Sequence, residues 1–182
     1  SLEALRGVVA ALVTAGCDER AVDVPDMALA RSTMWTLAAV DLLVDHEETL
    51  AAPGVGASLR EAVDRAVEVS AADYVRARRA RDRIAQEVDE LFESVDLLLT
   101  PGVPVPAHPL SERAAMRQVR QAYTTTFNLS GHPALVVPAA LSPEGLPLGV
   151  QIVGRRGMDD VVLRAGLAVE RAVGPLWERQ DV

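Results

Sequence analysis

Hydrophobic residues recur every three or four positions in six stretches of the chain, and this spacing predicts amphipathic helices. Asp26 is predicted to cap the second helix, and two capping boxes, Ser58 with Glu61 and Ser70 with Asp73, precede the third and fourth. The six predicted helices begin at or near Leu2, Asp26, Ser58, Ser70, Ser111 and Asp159. The fifth is predicted to continue to about Leu129.

Short apolar runs between the helices predict β-strands at residues 20–24, 95–99, 134–140 and 148–153. A turn containing Pro and Gly joins the last two runs, so they are predicted to pair as neighbours. Prolines between residues 101 and 109 exclude regular structure there. Because the strands are apolar on both faces, the pattern predicts an α/β fold in which helices cover the sheet, built from a single segment, residues 1–182.

Composition narrows the chemistry that this chain can perform. Its 182 residues are 49% hydrophobic and only 3% aromatic, which indicates a globular core built mainly from Ala, Val and Leu. All 18 basic residues are Arg and none is Lys. The chain therefore has no lysine of its own to act as a general base, form a Schiff base or bind phosphate in a P-loop.

The charge pattern argues against nucleic acid and membrane partners. The formal net charge is -8, and the arginines between Arg76 and Arg83 are followed by acidic residues, which predicts a charge-paired helix face. By the count of consecutive apolar residues, no run approaches the ~18 of a membrane span, and the first residues lack a signal-peptide layout, so a cytoplasmic location is predicted. Cys17 is the single cysteine of the chain, so an internal disulfide is excluded, and this residue is predicted to be buried.

Few side chains are spaced for metal binding or nucleophilic catalysis. The three histidines, His46, His108 and His132, are far apart in sequence, so no metal site is predicted, and no motif calls for a cofactor. Ser130 and His132 place a hydroxyl near an imidazole, but the serine lacks the flanking glycines of a nucleophile elbow. A structural helix cap is the favoured interpretation of Ser130.

Two segments, residues 124–138 and 145–155, place Asn, Gly, Pro and Gln at intervals within apolar sequence. Such positions occur where the backbone turns or approaches another group closely. The residues singled out are Asn128, Gly131, Pro133, Pro138, Gly149 and Gln151. A structural need explains most of them, whereas the amides of Asn128 and Gln151 must find hydrogen-bond partners.

Four motifs in this order resemble the C-terminal half of the amidase signature family. They are Asp-Leu-Leu-Leu-Thr-Pro at 96–101, the run at 123–138, Gly-Leu-Pro-Leu-Gly-Val-Gln-Ile-Val-Gly-Arg at 145–155, and the following Asp-Asp helix with Glu170. The resemblance is strongest over residues 96–170 and extends more weakly over the whole chain. It implies that the strands belong to a mixed β-sheet covered by helices.

The same resemblance implies what the chain lacks. Family members use a Ser–cis-Ser–Lys triad, in which a serine attacks an amide carbonyl and forms an acyl-enzyme, and the triad lies in the N-terminal half. This sequence has no lysine and no matching Gly/Ser-rich stretch. We therefore expect an amidase C-terminal portion without catalytic residues, inactive alone and completed by the missing N-terminal segment, with exposed apolar surface that favours homodimers.

The resemblance also suggests residues that contact a small-molecule amide substrate. The helix that leads into Asn-Leu-x-Gly lines the acyl pocket in this family. By position, the resemblance implies that Gln121 and Thr125 face this pocket and that Gln118 continues the same row of pocket residues. Gln121 and Thr125 are four apart and share a helix face; the alternative is that all three face solvent. Transamidation enzymes of the family have an acid where Gln121 stands, so a neutral aryl or alkyl amide fits better.

Three alternatives stay open at this point. The chain is a non-catalytic remnant or binding module with an amidase-like fold, or it is a fragment of the A subunit of a glutamine-dependent tRNA amidotransferase. The third alternative is a complete enzyme that uses Ser130 and His132.

Overall fold

The computed structural model describes residues 2–51, 54–112, 123–174 and 176, and within them lie seven α-helices, one 3₁₀ turn and three β-strands. The helices are α1 (Leu2–Thr14), α2 (Met27–Asp45), α3 (Glu47–Ala51), α4 (Ala57–Val67), α5 (Ala71–Leu91), α6 (Thr125–Ser130) and α7 (Asp159–Val173). The strands are β1 (Leu97–Pro101), β2 (Ala134–Leu141) and β3 (Pro147–Gly154), and the 3₁₀ turn is Leu110–Glu112.

The strands form one sheet with β3 in the centre, antiparallel to both neighbours. One row of partners crosses the sheet through Val136, Gln151 and Thr100. The predicted pairing of the last two strands is confirmed, and so is the α/β fold, because helices lie on both faces of the sheet. The described part of the sheet is antiparallel throughout.

Two apolar clusters hold the helices on the sheet. On one face, α1 and α7 pack against side chains such as Val137, Val150 and Ile152. On the other face, α5 and α6 bring Phe92 and Phe127 against Leu98 and Val153. Burial on both sides of β3 supplies most of the hydrophobic stabilisation of this fold.

Helix caps follow the sequence at two of three predicted sites. The Asp26 carboxylate accepts the first free N–H groups of α2, and the Ser70 hydroxyl accepts the Asp73 N–H at the start of α5. The predicted cap at Ser58 is wrong. Helix α4 begins one residue earlier, at Ala57, with Gly56 as its N-cap residue.

Two further sequence expectations fail, at residues 20–24 and at Cys17, and a third lies partly outside the described residues. Residues 20–24 form no strand, since Val22 and Val24 pack against the α5/α6 cluster without pairing to a sheet edge. Cys17 is exposed, because it follows the end of α1 at the surface. The predicted fifth helix is described only in part: residues 113–122 lie outside the described residues, and α6 begins at Thr125.

Helix α2 differs from the sequence prediction that no segment approaches the apolar length of a membrane span. Among the described residues it is the one helix whose length and composition would suffice to cross a membrane, with a mean hydropathy of 1.3. In the structure it packs against α4, α5 and α6. These contacts bury 22% of its most apolar window, and length and composition alone are weak evidence for a membrane span.

Close packing of α7 on β2 depends on Gly166. A Cβ at this position would stand 2.3 Å from Cδ2 of Leu135, whereas a Cβ at Gly7 in α1 would meet nothing within 4 Å. We expect Gly166→Ala to lower the free energy of unfolding by about 1–3 kcal/mol through overpacking. The matched Gly7→Ala should raise it by up to about 1 kcal/mol, because alanine is the better helix former.

Urea unfolding of both variants, compared with the wild type at equal m-value, measures the two changes. A Gly166→Ala variant as stable as Gly7→Ala would show that the α7–β2 contact is loose.

Candidate functional site

A buried polar network lies on the α5/α6 face of the sheet and is centred on Gln151, which is 2% exposed. Its Nε2 donates to Oγ1 of Thr100 at 2.9 Å and to the carbonyl oxygen of Tyr123 at 3.1 Å. The Thr100 hydroxyl in turn donates to the Pro101 carbonyl oxygen at 3.2 Å. The amide thus has the partners that its apolar surroundings demand.

Helix α6 carries the residues that follow this network. Thr125 is buried at its first position, and Gly131 ends it with φ of 75°, a left-handed conformation that favours glycine. Gln118 and Gln121 lie outside the described residues, so the structure places only Thr125 of the three predicted pocket residues.

The motif residues around α6 and β2 have different environments. Asn128 is exposed, and its amide has no hydrogen-bond partner within the described part of the chain. The Pro133 carbonyl accepts the Gly154 N–H at 3.0 Å and joins the start of β2 to the end of β3. Pro138 faces Gly149 across the sheet, beside a register irregularity in β2.

One part of this sheet face is uncovered. Ala134, Val136 and Pro138 on β2 are exposed, and Val136 is 49% exposed although it lies in the row next to buried Gln151. Cγ1 of Val136 rests over Gly149, where a Cβ would stand only 2.7 Å away. The outcome is a shallow apolar surface beside the Gln151 network.

A second polar cluster joins α5 to the turn between α6 and β2. The Ser130 hydroxyl lies 2.8 Å from Nδ1 of His132, and Nε2 of His132 lies 3.2 Å from Oδ1 of Asp89. The His132 ring stacks on Phe92 at a centroid distance of 5.2 Å, and Arg156 pairs with Asp89. The second contact of His132 is poorly aligned, so Nε2 has no hydrogen-bond partner among the described residues.

This cluster contains a serine, a histidine and an aspartate, but its geometry is that of buried contacts that stabilise the fold and not that of a catalytic triad. Ser130 is 4% exposed and the His132 side chain has no exposed surface, so a substrate cannot reach the hydroxyl. The imidazole also presents Nδ1 to the serine and Nε2 to the aspartate, the reverse of the serine protease arrangement. Both facts disfavour the alternative of a complete Ser130/His132 enzyme.

Burial lowers the pKa of His132 below its usual value. The charge of Asp89 opposes this shift, and that of Arg156 adds to it. The neutral imidazole is therefore the favoured form in the folded chain, with Nδ1 free to accept the Ser130 O–H.

Asp89, Phe92 and Arg156 were not foreseen from the sequence, because they lie more than 20 residues from His132 and carry no motif of their own. Val88 of α5 is fully buried, and Asp89 follows it directly. Across the described residues, no group of three or more His, Cys, Asp or Glu side chains is placed to hold a metal ion.

The family model named Amidase matches residues 2–163. The chain belongs to this amidase family.

Known relatives share the fold and exceed the chain in length. The A subunit of the glutamyl-tRNA(Gln) amidotransferase of Parvibaculum lavamentivorans is 36% identical over 138 residues, which are 71% of this chain and 28% of that protein. Allophanate hydrolase of Kluyveromyces lactis, at 23% identity, shows the fold alone: it matches with a TM-score of 0.82 over 94% of this chain and 29% of its own.

A third similar protein is named a hydrolase of a cyclic dimer. The structure of 6-aminohexanoate cyclic dimer hydrolase complexed with substrate matches at 26% identity with a TM-score of 0.77. The match covers 96% of this chain and 42% of that one. The chain thus spans less than half the length of each of these relatives.

Stability should fall with acid because of His132. A histidine whose pKa is lowered on folding contributes stability above its unfolded pKa, and this contribution is lost as the pH falls below that value. We expect the unfolding free energy to drop between pH 7.5 and 5.5, by no more than about 1.4 kcal/mol per pH unit for one proton. Thermal or urea unfolding at several pH values measures the slope.

His132→Asn cannot titrate and should flatten this slope. His108→Asn is the matched control, since that histidine lies in the irregular loop after β1, and it should keep the wild-type slope. Equal slopes in the wild type and His132→Asn would contradict the assignment of the acid sensitivity to this imidazole.

Proposed function

We propose that this chain is the C-terminal portion of an amide hydrolase. It supplies part of the sheet and one wall of the acyl pocket, and a separate N-terminal portion supplies the catalytic groups. The observation that carries the proposal is the combination of family membership with a chain that has no lysine and spans 28% of its relative. In the complete enzyme a serine would attack the amide carbonyl and form an acyl-enzyme, which water then hydrolyses.

The contribution of this chain to that reaction is substrate selection. Thr125 lies at the start of α6, and Gln118 and Gln121 precede it in the segment that the family resemblance assigns to the pocket wall. Hydroxyl and carboxamide groups bind neutral substrates by hydrogen bonds and provide no charge to recognise an ion. A small, neutral aryl or alkyl amide is the substrate class that suits these side chains.

The uncovered apolar surface on β2 supports the proposal that another segment packs against this chain. Val136 and its exposed neighbours Ala134 and Pro138 continue the face that α5 and α6 cover elsewhere. An apolar sheet face left open in this way favours packing by another segment. We assign the N-terminal portion to this surface, and a homodimer through the same face is the outcome expected when that portion is absent.

The cytoplasmic location and the absence of nucleic acid or membrane partners remain part of the proposal. The arginines of α5 are consistent with it, since Arg76, Arg81 and Arg83 each pair with a nearby carboxylate. Pairing of three of the five arginines of this helix reduces the positive charge that it presents to a phosphate.

A second candidate is the corresponding portion of the A subunit of a glutamyl-tRNA(Gln) amidotransferase. The 36% identity to the Parvibaculum protein of that name favours it. In that case the substrate is glutamine, and the amide nitrogen is transferred instead of released. Gln121 argues against it, because the resemblance implies an acid at that position in such enzymes.

Fragment complementation tests the proposal. The chain is purified alone and also co-expressed with the segment encoded upstream of the Ser1 codon or, as a substitute, with the N-terminal portion of the Parvibaculum relative. We expect no release of 4-nitroaniline from 4-nitroacetanilide by the chain alone and clear release by the pair. Robust turnover by the purified chain alone would sink the proposal, and glutaminase activity without aryl amide hydrolysis would favour the second candidate.

A matched pair of surface variants locates the contact. Val136→Asp places a charge on the uncovered β2 surface, whereas Leu163→Asp places one at the 58% exposed Leu163 of α7, on the opposite side of the sheet. We expect the first to reduce complementation by at least about tenfold, since burying an unpaired carboxylate costs more than about 1.4 kcal/mol. The second should leave it unchanged; equal losses would remove the assignment of this surface.

A further inference from the structure

Gln151 connects two segments of the chain that are far apart in sequence. Thr100 and Tyr123 lie 51 and 28 residues from it, and both accept a hydrogen bond from its Nε2. Thr100 lies at the end of β1 beside the proline-rich loop, and Tyr123 stands two residues before α6. One buried amide group therefore ties the central strand both to its neighbour and to the start of α6.

The network allows only one orientation of this amide. The Thr100 hydroxyl gives its hydrogen to the Pro101 carbonyl, so its oxygen is left to accept from Gln151. If the amide were turned over, its oxygen would face the Tyr123 carbonyl oxygen, and two acceptors would meet without a hydrogen between them. Both hydrogens of Nε2 are thus committed.

Helix α6 depends on such outside support. It has six residues, too few to persist in water without tertiary contacts. Its N-cap residue, Thr124, makes no side-chain cap hydrogen bond, while Ser130 at its other end bonds to His132, whose ring stacks on Phe92 at the end of α5. The Tyr123 carbonyl accepts a hydrogen bond from Gln151 and so connects the segment at the beginning of the helix to the sheet.

We infer that Gln151 is a positioning residue that sets the place of α6, and with it Thr125, relative to the sheet. The Tyr123 bond performs this role, and the Thr100 bond stabilises the sheet. The consequence for substrate selection rests on the proposed function, whereas the positioning of α6 is a property of this chain and is measured on it directly.

Native-state hydrogen exchange of the full 182-residue chain separates the two bonds. The Asn128 N–H, which donates to the Thr124 carbonyl within α6, reports on the helix. The Ile152 N–H on the central strand reports on the sheet. The measured quantity is the ratio of their protection factors, which cancels changes in global stability.

Two variants separate the bonds. Thr100→Val deletes the acceptor in the sheet and leaves the Tyr123 bond in place. Ionised Gln151→Glu has no hydrogen for either acceptor; the Thr100 hydroxyl regains the contact by turning from the Pro101 carbonyl to donate to the carboxylate, whereas the Tyr123 carbonyl is left without its donor. We expect the Asn128-to-Ile152 protection ratio to fall about tenfold in ionised Gln151→Glu, the scale of one lost buried hydrogen bond, and to stay near the wild-type value in Thr100→Val.

The pH dependence of Gln151→Glu provides a second readout. A protonated carboxyl has an O–H to donate to Tyr123, so the ratio should recover as the pH is lowered through the pKa of the introduced group. Gln151→Met has no donor at any pH and should show no recovery. Comparing the two at each pH cancels any effect of His132 on the other end of α6.

Two results would overturn the inference, because Gln151 would then act only through the sheet. One is an equal change of the Asn128-to-Ile152 protection ratio in Thr100→Val and Gln151→Glu. The other is a protection ratio in Gln151→Glu that does not change with pH. Neither outcome depends on amide hydrolysis. Failure of complementation with normal exchange behaviour would count against the proposed function and leave the positioning role intact.

Discussion

The burial of strand β3 on both faces is the constraint on which the rest of this structure depends. Residues 150–154 are consecutively buried, with α1 and α7 on one side and α5 and α6 on the other. A strand in this position contributes apolar area to two clusters at once, but any polar side chain on it must be paired inside the protein. Gln151 meets this demand, and in doing so it joins elements that hydrophobic packing alone would leave free to slide.

Helix α6 shows how two polar contacts can locate a short element. Its beginning is held from the sheet by an amide, which does not titrate, and its end bonds to an imidazole, which does and which stacks on Phe92 at the end of α5. The resulting trio of Ser130, His132 and Asp89 has the composition of a hydrolase triad without access for a substrate. Burial distinguishes the two cases, because a nucleophile must meet its carbonyl whereas a structural tie gains strength from the exclusion of water.

Membership of the amidase family and the small share of its relatives' length together suggest a division of labour. The chain contains a well-packed two-sided core around β3 and, beside it, an apolar strip on β2 that no described element covers. The core accounts for folding, and the strip is the surface to which the proposed further segment is assigned. A lysine-free chain with an open sheet face is consistent with the proposal that another segment supplies the catalytic groups.

The sequence by itself determined the local features: the capped starts of α2 and α5, the β2–β3 pair and the family. These follow from short-range chemistry, since a cap or turn is made by residues within a few positions of each other. It failed where the outcome depended on distant partners, as at residues 20–24, which face the core without pairing. The need of Gln151 for partners was predictable from its apolar neighbours, but only the tertiary structure chose Thr100 and Tyr123, because register across the sheet decides which acceptors an amide can reach.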